Sequence, residues 1–142
     1  MIKSRKIDQI TLKLIEYFNK ELSVLSVYIF GSFGTESQTP LSDLDIGVLY
    51  DGNVPVMEEL KQAAEISSLL SLEKIDLINL NKAPIHLQHE ILYQGDQIFD
   101  RIPERTEDFV ENVLEIYHDY QGILKKYRED LREGLLEDYL NS

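Results

Sequence analysis

Residues 31–50 read GSFGTESQTPLSDLDIGVLY, and the fold turns on how this stretch is divided between loop and strand. Immediately upstream, residues 24–30 read VLSVYIF, a run of β-branched and aromatic residues that predicts a buried strand. Gly31 to Ser42 is dense in Gly, Ser, Thr and Pro and predicts a loop with at most one short helical turn. Asp43 to Tyr50, DLDIGVLY, then predicts a second strand. On that strand Asp43 and Asp45 stand at i and i+2, so their carboxylates point to one face and can converge. Two like charges so placed repel unless water screens them or a cation lies between them, and oxygen ligands of this kind suit a hard divalent metal. For an isolated Asp-x-Asp a solvated strand end is the alternative, but the apolar Ile46, Val48 and Leu49 put this pair at the edge of a core strand. Gly31-Ser32 follows the first strand directly. Glycine lets backbone approach a phosphate closely, and the following N–H groups with the Ser32 hydroxyl can donate to its oxygens; a simple turn is the other reading.

Working outward, Ile7, Ile10, Leu14, Phe18 and Leu22 recur three to four apart and predict an amphipathic helix packed on the sheet. Pro55 to Leu72 reads as a helix with proline at its first turn, and Lys74 to Leu80, KIDLINL, as a strand. Pro84 opens a short helix that Gly95 closes. From Pro103, the residues Phe109, Val113, Ile116, Tyr120, Leu124, Tyr127 and Leu131 keep helical spacing, as one long helix or as two broken near Gly122. The order α, β, β, α, β, α and a long helix predicts an α/β (α+β) fold, a small mixed sheet flanked by helices. Residues 1–142 read as a single domain, with a core over about 7–101 and a C-terminal helical extension over about 103–140.

Composition narrows the function. At 142 residues with 43% hydrophobic and 28% charged side chains, the chain has the balance of a globular protein with a real core. No apolar run approaches the roughly 20 residues of a membrane helix, and the helical patterning of the N-terminus is unlike a signal peptide. A cytoplasmic protein, with no membrane association, is therefore expected. The absence of cysteine excludes disulfides, thiolate metal sites and cysteine nucleophiles. Twenty-six acidic against fourteen basic residues give a net charge of −12, which argues against a broad surface for long nucleic acids.

Asp76 is the one charge between Ile75 and Leu77-Ile78 in an otherwise buried strand pattern, where an unpaired acid is costly. If its strand pairs beside Asp43–Tyr50, it can present a carboxylate to the same cation and accept a proton from an attacking hydroxyl; a salt bridge to Lys74 or a strand-edge position is the plainer account. His86 and His89 lack a third ligand nearby and read as a solvated helix face. Tyr117, Tyr120, Leu124, Tyr127 and Leu131 form an apolar seam that reads as core, part of it available to dock a partner.

Taken together, Gly31-Ser32, ten residues, Asp43-Leu44-Asp45 and a later strand acid resemble the signature of nucleotidyltransferases of the DNA polymerase β type. The wider surroundings, IFGSFGTESQTPLSDLDIGVL at 29–49, HLQHEILYQGDQIFD at 86–100 and YHDYQGILKKYRED at 117–130, are similar to the minimal nucleotidyltransferase antitoxins that pair with HEPN-domain ribonuclease toxins. The resemblance implies a nucleotidyltransferase fold in which Gly31 and Ser32 hold the triphosphate of ATP. It implies that Asp43 and Asp45 ligate two Mg²⁺ ions, and that Asp76 ligates one of them and helps deprotonate the acceptor. The implied reaction is transfer of AMP from ATP to a tyrosine hydroxyl of a HEPN toxin, within a hetero-oligomer with that toxin. One departure stands out: where many relatives carry a basic residue after the Gly-Ser pair, this chain has Phe33-Gly34-Thr35-Glu36. Two other readings stay open, a binding module that blocks the toxin by occupying its surface, and a transferase acting on a small hydroxylated molecule. Against the latter, no second domain is available to form an acceptor pocket.

Overall fold

The computed structural model describes residues 5–31 and 44–141. In chain order the elements are α1 (Arg5–Asn19), β1 (Val24–Phe30), β2 (Leu44–Tyr50), α2 (Val56–Leu70), β3 (Ile75–Asn79), α3 (Ile85–Gln94), β4 (Asp96–Asp100) and α4 (Pro103–Leu140). The strands form one mixed sheet in the order β3-β2-β1-β4. β1 runs antiparallel to both β2 and β4, and β2 runs parallel to β3, with α2 as the crossover a parallel pair requires.

Alternation along β2 assigns the two faces of the sheet. Leu44, Ile46, Val48 and Tyr50 join Ile10, Leu14 and Phe18 of α1 and Ile66 of α2 in one buried cluster. Leu49, on the other face, packs with Tyr28, Leu80 and Ile91, and Phe109 of α4 covers the same cluster. The sheet is thus sandwiched between α1/α2 and α3/α4, as a two-faced strand pattern demands. Tyr50 is anchored by its hydroxyl, which donates to Gln62 Oε1 at 2.6 Å, and burial pushes that hydroxyl's pKa up. Arg101 stitches the end of α1 to the sheet: its guanidinium donates to the carbonyls of Phe18 and Val24 at 2.9 and 2.8 Å and to that of Glu21 at 3.1 Å. It thereby satisfies carbonyls that a helix end leaves without partners.

Two expectations change, and one alternative is decided. A fourth strand, β4, pairs with β1 through Ser26↔Asp100 and Val27↔Phe99; its five residues DQIFD carry only two apolar side chains and a charge at each end, the pattern of a short edge strand. Leu22 lies beyond the end of α1 and is 78% exposed, so the first helix is one turn shorter than its spacing predicts. The C-terminal segment is one helix of 38 residues that runs through Gly122 without a break. Its seam is half-buried at Tyr117, Tyr120 and Leu124 and then leaves the body, with Tyr127 and Leu131 exposed.

Two measurements test this architecture. Leu14→Ala removes a fully buried side chain under the sheet, and urea denaturation is expected to show a loss of roughly 2–5 kcal/mol. Arg105 at the start of α4 meets Asp51 at 2.6 Å, and its hydrogen bond holds the Asp51 carboxyl below the ordinary value of 3.8. A depressed folded-state pKa adds stability above the unfolded value and loses it as pH falls through the folded one. Asp51→Asn is therefore expected to be slightly less stable than the parent chain at neutral pH, and the gap to close in acid and to shrink in high salt.

Candidate functional site

Phe30 ends β1 opposite Asp45 on β2, and Asp45 in turn lies opposite Asp76 on β3. Partners in register on parallel strands point to the same face, so the carboxylates of Asp45 and Asp76 project together. The face is the one covered by α3: Gly47, two residues beyond Asp45, is so close to that helix that a Cβ would stand 2.9 Å from Ile91 Cγ2. Asp45 is half-buried and Asp76 exposed. The cost expected for an acid inside a buried strand does not arise for Asp76, because β3 is the sheet's edge and water reaches the side chain.

Gly31 turns the chain at the end of β1 with φ +86°, a conformation L side chains rarely adopt. A Cβ there would collide with Oδ2 of Asp45. Glycine is thus required twice over, for the turn and for the space that the Asp45 carboxylate fills. Beside it Phe30, Gly31, Glu90 and Gln94 line an opening of about 290 Å³. Glu90 and Gln94, four apart on one face of α3, were not singled out by the sequence reading; helical spacing from the buried Ile91 is the signal that could have found them.

Of the sequence-derived candidates, Gly31, Asp45 and Asp76 come together at this corner of the sheet, where β1 ends and β2 and β3 begin. Ser32 and Asp43, with the departure at residues 33–36, lie outside the described residues. Among the described residues no group of three His, Cys, Asp or Glu side chains is arranged to hold a metal; the described acids of the set are two. His89 departs from expectation: it is half-buried and stacks on Tyr117 of α4, ring centres 3.7 Å apart and nearly parallel, with Tyr93 at 5.9 Å on the same helix. It is a joint between α3 and α4 rather than a solvated face, while His86 is exposed as expected.

A strand pair that brings an acid from each of two neighbouring strands to one face, beside a glycine turn at the end of a third, is the arrangement of a nucleotidyltransferase core. The polymerase beta nucleotidyltransferase family matches residues 12–104, and the chain belongs to that family. It is homologous to the protein adenylyltransferase MntA of Shewanella oneidensis, with 26% identity over 111 residues that make up 78% of each chain. Among solved structures it superposes on a chain of a toxin–antitoxin complex with AMP-PNP at a TM-score of 0.72, with 24% identity, covering 85% of this chain and 97% of that one. It superposes equally on a chain of the tri-AMPylated Shewanella oneidensis HEPN toxin in complex with MNT antitoxin, at a TM-score of 0.70 and 22% identity, covering 87% and 97%. These likenesses establish the nucleotidyltransferase fold with its long C-terminal helix.

Gly31→Ala gives the site its own test. The substitution forces a left-handed Cβ against Asp45 and is expected to destabilise the fold by at least about 1–2 kcal/mol in urea denaturation. A change within experimental error would mean that the turn at Gly31 does not hold the Asp45 carboxylate as described.

Proposed function

We propose that the chain is an antitoxin-type protein adenylyltransferase that moves AMP from ATP to a tyrosine hydroxyl of a partner HEPN ribonuclease toxin, and neutralises the toxin by doing so. The single observation that carries the proposal is the register of Asp45 with Asp76 beside the Gly31 turn, read with homology to a protein adenylyltransferase. In this reading Gly31 and Ser32 receive the triphosphate, Asp43 and Asp45 share two Mg²⁺ ions, and Asp76 ligates one of them.

The residues suit that load. Asp45 and Asp76 offer carboxylate oxygens from adjacent strands on one face, the donor type Mg²⁺ selects, and the glycine at 31 leaves the Asp45 carboxylate room that any other side chain would take. Bound Mg²⁺ would supply charge neutralisation at the α-phosphate and at the pyrophosphate leaving group. The chain's own groups do the rest. Backbone at the Gly31 turn approaches the phosphates without steric obstruction, and Asp76, open to solvent at the sheet edge, can take the proton of an incoming tyrosine hydroxyl as it attacks. That exposed edge is also where a protein acceptor, far larger than a small molecule, can reach the reacting atoms. Working with ATP and a ribonuclease partner implies a cytoplasmic protein in a hetero-oligomer with the toxin; no helix among the described residues is long and apolar enough to cross a membrane.

Incubation of the purified chain with its HEPN partner, ATP and Mg²⁺, followed by intact mass, tests the proposal. The partner is expected to gain mass in AMP-sized steps. The doubly substituted Asp43→Asn/Asp45→Asn chain is expected to transfer none, Asp76→Asn to be slower by about 100-fold or more, and EDTA to abolish transfer. A stable complex with no mass gain would favour the binding-module reading instead.

A further inference from the structure

The opening beside Gly31 is framed by two polar residues to which the adenylyl-transfer reading gives no part. Glu90 and Gln94 stand one turn apart on α3, both exposed at the rim. The backbone that carries them is held at two points. Ile91 bears on β2 at Gly47, and Gly95 runs so close to β1 that an added Cβ would stand 3.3 Å from the Ile29 carbonyl oxygen. Phe30, packed against the cluster around Ile91, supplies an apolar wall. The Glu90 and Gln94 side chains themselves have no hydrogen-bond or ion-pair partner among the described residues. They are rigidly placed and chemically uncommitted, as groups kept for a ligand are.

The chemistry of the lining selects what enters. A carboxylate only accepts hydrogen bonds, and the described residues around the opening include no lysine or arginine, so a phosphate lodged beside Glu90 would be repelled. Glu90 suits a group that donates. In the adenylyl-transfer reading, on which this inference rests, the α-phosphate lies at the Asp45 carboxylate. The Gly31 turn borders that carboxylate and also lines the opening. The ribose is bonded directly to the α-phosphate, so it is the first part of the nucleotide beyond the phosphates to reach the opening. Its hydroxyls are donors, and a carboxylate set against a ribose 2′-hydroxyl is a pairing that nucleotide-binding folds use. A volume of about 290 Å³ lies at the lower end of the range for small-ligand sites.

We propose that Glu90 is the ribose-recognising residue of the site. It accepts a hydrogen bond from the 2′-hydroxyl of the bound nucleotide and selects ribonucleoside over 2′-deoxyribonucleoside triphosphates. Gln94, whose amide donates as well as accepts, holds the nucleoside without telling the two apart.

The experiment compares ATP with 2′-deoxy-ATP on the full chain with Mg²⁺, in equilibrium binding by calorimetry and in AMP transfer to the HEPN partner by intact mass. The unsubstituted chain is expected to bind ATP roughly 10–100-fold more tightly than 2′-deoxy-ATP, the worth of a hydrogen bond to a charged group. Glu90→Ala is expected to bring that ratio close to one, and Glu90→Gln, which keeps an acceptor oxygen without the charge, to leave a smaller preference. Removing the charge of Glu90 also eases the approach of any triphosphate, but by the same factor for both nucleotides, so the ratio isolates the hydroxyl. Gln94→Ala is expected to weaken both nucleotides alike and to keep the ratio. Equal binding of the two nucleotides by the unsubstituted chain, binding of neither, or a preference that survives Glu90→Ala overturns the proposal. A Glu90-dependent ratio in binding with no mass gain on the partner upholds the ribose subsite and sinks the adenylyl-transfer reading, whereas transfer without discrimination sinks the subsite alone.

Discussion

Ile91 of α3 rests on the backbone of β2 at Gly47, where any side chain would collide with its Cγ2. This contact sets the distance between helix and sheet on the site's side of the molecule. Ile91 is fully buried, and Leu49, Leu80 and Tyr28 complete the cluster around it. Because α3 is held this close, Glu90 and Gln94, the residues flanking Ile91 on the helix surface, reach the opening beside Gly31. The opposite face of β2 makes the complementary demand. Leu44, Ile46, Val48 and Tyr50 are all buried against α1 and α2, so the strand cannot slip by one residue without exposing its whole apolar set. Asp45 is therefore held on the α3 face by the burial of its neighbours, not by any property of its own.

The same logic explains which parts of the molecule are legible in its sequence. β1 and β2 declare themselves because both faces are covered and their apolar runs are nearly continuous. The parallel partner of β2 is legible too, since KIDLINL combines strand composition with a lone acid, and the register Asp45↔Asp76 follows from pairing alone. β4 is not legible by the same rule. It sits at an edge, its stability comes from bonds to β1 and from the Ser26 hydroxyl donating to the Phe99 carbonyl at 3.1 Å, and such partners leave no local pattern. His89 fails for a related reason: its ring is covered by Tyr117, twenty-eight residues away in sequence, and helix periodicity within α3 carries no information about α4. The pairing of Glu90 with Gln94 at the opening depends on how α3 docks, which is a tertiary fact.

Asp76 shows that a correct location can follow from an incomplete premise. The sequence argument rests on the cost of burying a charge, yet the side chain is exposed. What fixes its position is the parallel register with β2, and what exposes it is the edge position of β3. In the proposed reaction exposure suits an acid that would meet a hydroxyl carried by another protein: a buried carboxylate would hold its proton more tightly and would be unreachable by a folded partner.

Charge supplies the remaining constraint. The chain carries a formal charge of −12, and the described residues that line the opening beside Gly31 include Glu90 and no lysine or arginine. In the proposed reaction a triphosphate entering that opening would meet the charge of Glu90, with Asp45 and Asp76 at the same corner of the sheet. Lys82 lies past the opposite end of β3, away from the site, where it pairs with Glu59 at 3.0 Å and the Val54 carbonyl at 2.9 Å. Backbone N–H groups at a glycine turn carry only partial charges and do not offset several carboxylates and a triphosphate together. In the proposed reaction the cation bound with the nucleotide therefore has to do what a basic residue after the Gly-Ser pair does in many relatives. Under that proposal an acidic site of this kind would reject the nucleotide alone and accept it with its metal, so metal and ATP would bind as one coupled event.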